Sequence, residues 1–325
     1  MHAHVVGTGF GGSGCRLNLR GWRSLMARMM VREVRLPASA LKGDLDRLYP
    51  EQLSGMLRSS SVRHAVILAQ DHVHDDQGRP MPEKDLFYVP NDYVFALAEK
   101  YPEMLPAVSI HPARPDAIDE LNRCLDRGAV MMKCLPNCQN FNCGDKRFTR
   151  FWERMAEAGL PLLAHTGGEN TLPVMNPAFA NPATLELPLR CGVTVIAAHA
   201  GTQSTPADTD YFPVFRSMLD RFPNLYGDAS ALLLPVRSNR LRECLEGPVV
   251  ERMVHGSDIP VPIQGIWVWL RGIVSWRDYL RGRKIRNTIE RDYQLKLAAG
   301  FPPEHFTRVW DLLRLASKPT GGAAT

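Results

Sequence analysis

Long apolar runs are missing from this sequence. The most hydrophobic late stretch, Ile263-Gln-Gly-Ile-Trp-Val-Trp-Leu, meets Arg271 well short of the roughly 20 residues that a bilayer span takes, so no transmembrane helix is expected. No apolar leader precedes His2, and the seven cysteines are odd in number and scattered, without the framework of a small secreted scaffold. These absences point to a reduced, cytoplasmic protein. Charge of one sign is scarce as well, since 39 Lys and Arg against 34 Asp and Glu leave a formal +5 with the basic residues dispersed. Such a weak field gives no footprint for nucleic acid and at most a mild attraction for an anionic small molecule. No internal repeat is visible. With 45% hydrophobic residues, the 325-residue chain has material for one large core, expected over residues 1–316. Residues 317–325 read as a disordered tail.

What is present is a series of short apolar runs, each ending in a residue suited to metal chemistry. They are His2-Ala3-His4 before Val5, Ala129-Val-Met-Met-Lys133, Leu160-Pro-Leu-Leu-Ala-His165, Val193-Thr-Val-Ile-Ala-Ala-His199 and Met253-Val-His-Gly-Ser-Asp258. An apolar run of four to six residues that stops at a polar residue followed by Gly, Thr or Pro reads as a buried parallel strand, whose last side chain leaves the sheet at its C-terminal edge. Chemistry in parallel α/β folds gathers on that edge. Further strands are expected at 62–70, 106–110 and 225–229, with helical stretches between them. The count of eight is that of a closed (β/α)8 TIM barrel. After the first strand, Gly7-Thr-Gly-Phe-Gly-Gly-Ser-Gly reads as a flexible loop, and Trp22 to Val34 as an added amphipathic helix covering the barrel, a membrane surface being its rival role.

Histidines at i and i+2 on a strand face one side, so His2 and His4 can bind one ion together. The similar pair His72 and His74 lies in a polar stretch and reads as surface loop. His165 alone would pass for a core histidine, but with His199 and Asp258 at matching strand ends the metal reading prevails. Cys134, Cys138 and Cys143 lack a fourth ligand and read as ordinary thiols; Trp267, Trp269 and Trp276 read as packing. Arg114 suits a substrate carboxylate or plain solvation.

Taken in order, Lys133-Cys-Leu-Pro, His165-Thr-Gly-Gly-Glu169, His199-Ala-Gly and Gly256-Ser-Asp258-Ile-Pro resemble the amidohydrolase superfamily, in particular its amidohydrolase-related branch of metal-dependent hydrolases and decarboxylases. The resemblance implies that His2, His4, His165 and Asp258 hold a divalent metal, zinc first and manganese second, with one ion favoured over two. It implies that His199 is a second-metal ligand or a base and electrophile beside the metal. Asp258 would take the proton of a metal-activated water. Lys133 would anchor a substrate anion or, carboxylated, bridge two ions; Glu169 would support the site or merely be a helix-start carboxylate. The expected reaction is hydrolysis of a small amide, lactone or ester. Decarboxylation of an unsaturated or aromatic acid, and a catalytically silent ligand-binding barrel, are the alternatives. Expected partners are the small-molecule substrate and further copies of the chain, with neither nucleic acid nor membrane. In the family the His-x-His pair ends a full strand, whereas here Met1 directly precedes His2. The natural chain is therefore expected to start upstream, and this truncated first strand to leave ladder bonds unmade beside His2 and His4.

Overall fold

Eight parallel strands follow one another in chain order across a single sheet in the computed structural model, which describes residues 1–315. They are β1 (His2–His4), β2 (Ala65–Leu68), β3 (Met104–Val108), β4 (Met131–Cys134), β5 (Leu162–His165), β6 (Val195–Ala198), β7 (Leu225–Asp228) and β8 (Met253–Val254). Beyond β8 the chain returns to β1: Ala3 bridges Ile259 in parallel, and His4 N–H donates to the Ile259 carbonyl at 2.9 Å. The sheet thus curls into the expected TIM-barrel architecture. The expected tail lies outside the described residues.

Alternation along the strands decides what faces inward. Val66, Leu68, Met131, Leu163, Ile196 and Val254 pack together as one core with Val309 and Leu313. Their neighbours Ala65, Ile67, Met132, Leu162 and Val195 pack instead among residues of the surrounding helices. Continued toward the C-terminal ends, the inward set is His2, His4, Lys133, His165 and Asp228. Strand pleating thereby delivers these polar groups to one mouth of the barrel.

The short first strand is paired on both sides, contrary to the expectation of unmade bonds. His2 lies opposite Val66 and His4 opposite Leu68, the Val66 N–H donates to the Met1 carbonyl at 2.7 Å, and Ile259 covers the other edge. Nor is the glycine run a free loop. The Asp46 carboxylate accepts from Thr8 N–H at 2.7 Å, Thr8 O–H at 2.9 Å and Gly9 N–H at 3.2 Å, and also from Ser13. A Cβ on Gly7 would stand 2.2 Å from the Asp46 oxygen, so this pinning requires glycine there.

Between β1 and β2 run helices α1 (Trp22–Glu33) and α2 (Leu45–Arg58). Tyr49 of α2 donates its hydroxyl to the His4 carbonyl at 2.9 Å and so steadies the end of β1. The run from Arg237 is a 3-10 turn (Arg237–Arg240) followed by a short helix (Leu241–Cys244). Among the described residues no helix is long and apolar enough to cross a membrane.

Candidate active site

Two carboxylates at adjacent strand ends organise the mouth of the barrel. His2, buried to 5% exposure, has Nδ1 2.8 Å from Asp228 Oδ2 and Nε2 3.5 Å from Asp258 Oδ1. His4 Nε2 lies 3.2 Å from the same Asp258 oxygen. Gly256 makes room for this arrangement, because a Cβ there would meet His2 Nδ1 at 2.7 Å and Asp228 Oδ2 at 2.9 Å. Burial opposes charge on His2, yet Asp228 and Asp258 outweigh it and hold the imidazole above its usual value. Burial also opposes ionisation of Asp258, and the neighbouring imidazoles of His2 and His4 overcome it, holding the carboxyl well below its ordinary range.

His165 and His199 face each other across the mouth with ring centroids 5.0 Å apart. His165 Nε2 stands 3.7 Å from Glu169 Oε2 and has no hydrogen-bond partner, as is true of His2 Nε2. Burial, reinforced by neighbouring His199 and Lys133, keeps the His165 imidazole neutral, well below its normal titration range. Strand alternation would turn His199 outward, since Ala198 packs inside the barrel. Left-handed backbone at His199 (φ 62°) and Ala200 (φ 53°) turns the chain back; Asp258 shares this conformation (φ 61°). Such non-glycine residues cost about 1–3 kcal/mol each and cluster at working sites.

A relay fixes the His199 ring. Ser230 O–H donates to Asp228 Oδ1, and His199 Nδ1 lies 2.8 Å from Ser230 Oγ and 3.1 Å from the Ser230 carbonyl. A carbonyl only accepts, so Nδ1 carries the hydrogen and Nε2 keeps its lone pair. Asp228 Oδ1 also accepts the His199 backbone N–H at 2.9 Å. Burial, with Arg237 nearby, brings His199 down to about 3, so Nε2 is a lone-pair nitrogen at neutral pH.

The carry-over residues divide by position. His4, His165, Glu169, His199 and Asp258 all line one cavity, whose empty space with its open mouth is about 970 Å³. His2 lies behind Asp258. Lys133 is buried inside the barrel, and burial pulls its ammonium below the usual value against the attraction of Asp258 and Asp228. Glu169 Oε1 accepts the backbone N–H groups of Thr171 and Leu172 while Oε2 faces His165, and no helix begins there. Among the described residues no three His, Cys, Asp or Glu side chains form a ready-made coordination cluster. The donor chemistry nevertheless fits a divalent cation: two buried imidazole Nε2 atoms lack partners, and an ionised carboxylate adjoins two imidazoles.

Other expectations change. His74 is not surface loop: it is buried to 2%, its ring stacked on His111 at 4.3 Å, while His72 stacks on Tyr88 and pairs with Asp85. Arg114 binds Asp71 at 3.2 Å and Asp116 at 2.8 Å, which leaves it no open fork for a substrate. All seven cysteines are free thiols, six of them buried. Trp269, Trp276 and Tyr279 form an aromatic cluster away from the cavity, with Trp276 51% exposed rather than packed inside.

Sequence reasoning missed Asp228, Ser230 and Arg237. The run Leu225-Tyr-Gly-Asp228 ends in a carboxylate as β1 and β5 end in histidine, and extending the seventh strand to Ala229 hid it. Arg237 is buried and donates to the Thr202 carbonyl at 2.9 Å and the Gly168 carbonyl at 2.6 Å, tying together the loops after β5 and β6. No local motif announces that role.

A family model of amidohydrolases matches residues 64–270, a span that holds Lys133, His165, His199, Asp228 and Asp258 and leaves out β1, α1 and α2. No curated protein matches the chain. Among solved structures, an uncharacterized TIM-barrel protein from Bordetella bronchiseptica is 20% identical with a TM-score of 0.57, covering 92% of this chain and 98% of its own. A putative 2-pyrone-4,6-dicarboxylic acid hydrolase from Pseudomonas putida is 14% identical with a TM-score of 0.52, over 94% and 92% of the two chains. A 5-carboxyvanillate decarboxylase from Sphingomonas paucimobilis is 13% identical with a TM-score of 0.56, over 90% and 91%. At these identities the likeness is one of fold.

Proposed function

This chain belongs to the amidohydrolase family, and within it we propose a metal-dependent hydrolase of a small amide, lactone or ester. The observation that carries the choice is that ionised Asp258 and the Nε2 lone pair of His199 line one cavity, two proton acceptors of the kind that a water attacking a carbonyl needs. His2, His4, His165 and Asp258 would hold one divalent ion, zinc before manganese. When bound, that ion supplies Lewis-acid activation of water near neutral pH.

The protein residues then have separable tasks. Asp258, held ionised, accepts the proton of the attacking water. His199 offers its Nε2 lone pair, kept in that tautomer by Ser230 and Asp228, as a second proton acceptor and, once protonated, as donor to the leaving group. Asp228 orients His2 and His199 together. Lys133 lends positive charge from behind the carboxylates.

Decarboxylation is the second reading. It draws on Lys133 and on the fold shared with a 5-carboxyvanillate decarboxylase. The seven unpaired thiols support a reducing, cytoplasmic setting. Elemental analysis of the purified protein, with His165→Ala and Asp258→Ala beside it, tests the proposal. About one equivalent of metal, lost in both variants, together with turnover of esters or lactones, is expected. Carbon dioxide release without hydrolysis would transfer the assignment to the second reading, and no metal uptake after zinc or manganese reconstitution would end both.

A further inference from the structure

Apart from Arg23 on the α1 wall and Thr171, the polar groups of the cavity gather at one end. His4, His165, Glu169, His199 and Asp258 lie at the strand ends, whereas the remaining wall is largely apolar, built from Met26 and Met30 of α1, Val34 at its C-terminal end, Leu45 of α2, Phe87 and Leu172. Tyr49 also lines it, but its hydroxyl is spent on the His4 carbonyl. Arg23 sits between α1 and the loop after β5, donating Nε–H to the Thr171 carbonyl at 3.3 Å.

Inward residues of α1 recur at the helical spacing, from Arg23 through Met26 and Met30 to Val34. At about 1.5 Å per residue this wall runs about 16 Å along the helix. The length far exceeds what a reacting carbonyl group needs. Two of the wall residues are methionines, unbranched and polarizable, which mould to an irregular apolar partner.

We propose that this cavity takes a substrate with one polar carbonyl head and an extended apolar body, a medium-chain or arylalkyl ester, amide or lactone, with α1 as the wall that selects the body. The inference rests on the hydrolase reading of the same site. The head faces His199 and Asp258 while the body lies against Met26, Met30 and Leu45. Each methylene transferred from water to such a wall raises affinity about fourfold until the cavity is filled.

The test separates binding from turnover. Straight-chain methyl ketones from 2-butanone to 2-decanone, which carry the carbonyl but no hydrolysable bond, are titrated calorimetrically into the zinc-reconstituted protein, with p-nitrophenyl esters of matching length assayed in parallel. Affinity is expected to climb about fourfold per methylene over at least three steps. Met30→Glu should flatten the series, and Met29→Glu, one residue on and 50% exposed, should leave it steep. A series that is flat in the wild-type protein, or isophthalate binding more tightly than 2-nonanone, would overturn the proposal. A steep ketone series without ester turnover would leave the wall assignment standing and remove the hydrolase reading, so the two failures are distinct.

Discussion

Two buried histidine clusters meet at Gly256, and only one of them opens to the outside. On the first side stand His2, His4, His165 and His199 with Asp228 and Asp258, four of these lining the cavity. On the second, Lys296 donates to the Gly256 carbonyl at 2.7 Å and to Asp292 at 2.8 Å, and His305 Nδ1 contacts the Met253 carbonyl at 3.1 Å. Both ring nitrogens of His255 there lack partners, as do His305 Nε2 and one Asp292 oxygen. By unpaired polarity the closed cluster looks at least as reactive as the open one. What separates them is convergence on shared space: the first cluster aims at a cavity, while the second is filled by its own side chains and fixes the segment that carries Asp258. Unsatisfied buried polarity identifies a place of high energetic stake, and access decides whether it is a workplace or a brace.

The comparison is broken most severely through the metal. Asp258→Ala is expected to lose bound metal and all measurable turnover, whereas Lys296→Met should keep both when normalised to folded protein; equal losses would erase the distinction. Next in size, Lys296→Met should destabilise the fold by about 3–5 kcal/mol, read from urea midpoints, because it strands Asp292 without a counter-charge. Adding Asp292→Leu should recover most of that loss, and no recovery would mean that the pair is not the source. Asp228→Asn should lower metal affinity about 10–100-fold by loosening His2 and His199, with a smaller change in urea midpoint than Lys296→Met.

Spread over pH rather than tied to one substitution is the effect of buried neutral imidazoles. Burial holds His111 and His305 down to about 3. The unfolded chain, titrating near 6.5, therefore binds more protons than the folded one between those values, so stability should fall as pH drops from 6.5 toward 3. Each histidine contributes a slope approaching 1.4 kcal/mol per pH unit, roughly, in the middle of that window. Urea midpoints at pH 7, 5.5 and 4.5 measure it, and His305→Gln should make the dependence shallower.

The barrel was legible because its strand runs are apolar and stop abruptly, which is what burial on two faces writes into a sequence. His165 could be read for that reason, and so could His4, as an alternating pair. Asp228 stayed hidden because one residue of strand length was misjudged, and a carboxylate after glycine looks like an ordinary turn. His74 was misread because its local polarity suggests solvent, while its burial comes from His111 on another strand's loop. Arg237 was beyond reach, since its partners are carbonyls 35 and 69 residues away. Positions that alternate along one strand are written locally; those that depend on which loops meet are not.

Helix α1 presents a second consequence. It forms the cavity wall on its inner side, carries Trp22, Leu25 and Met29 largely exposed on the other, and belongs to a segment lying outside the family match. On the proposed reading, the strand ends would supply the chemistry and a separate stretch of chain the taste for substrate. Inheritance can therefore act on the two independently: drift or recombination in the interval between β1 and β2 can move the enzyme to a new niche while every proton-handling residue stays where it was.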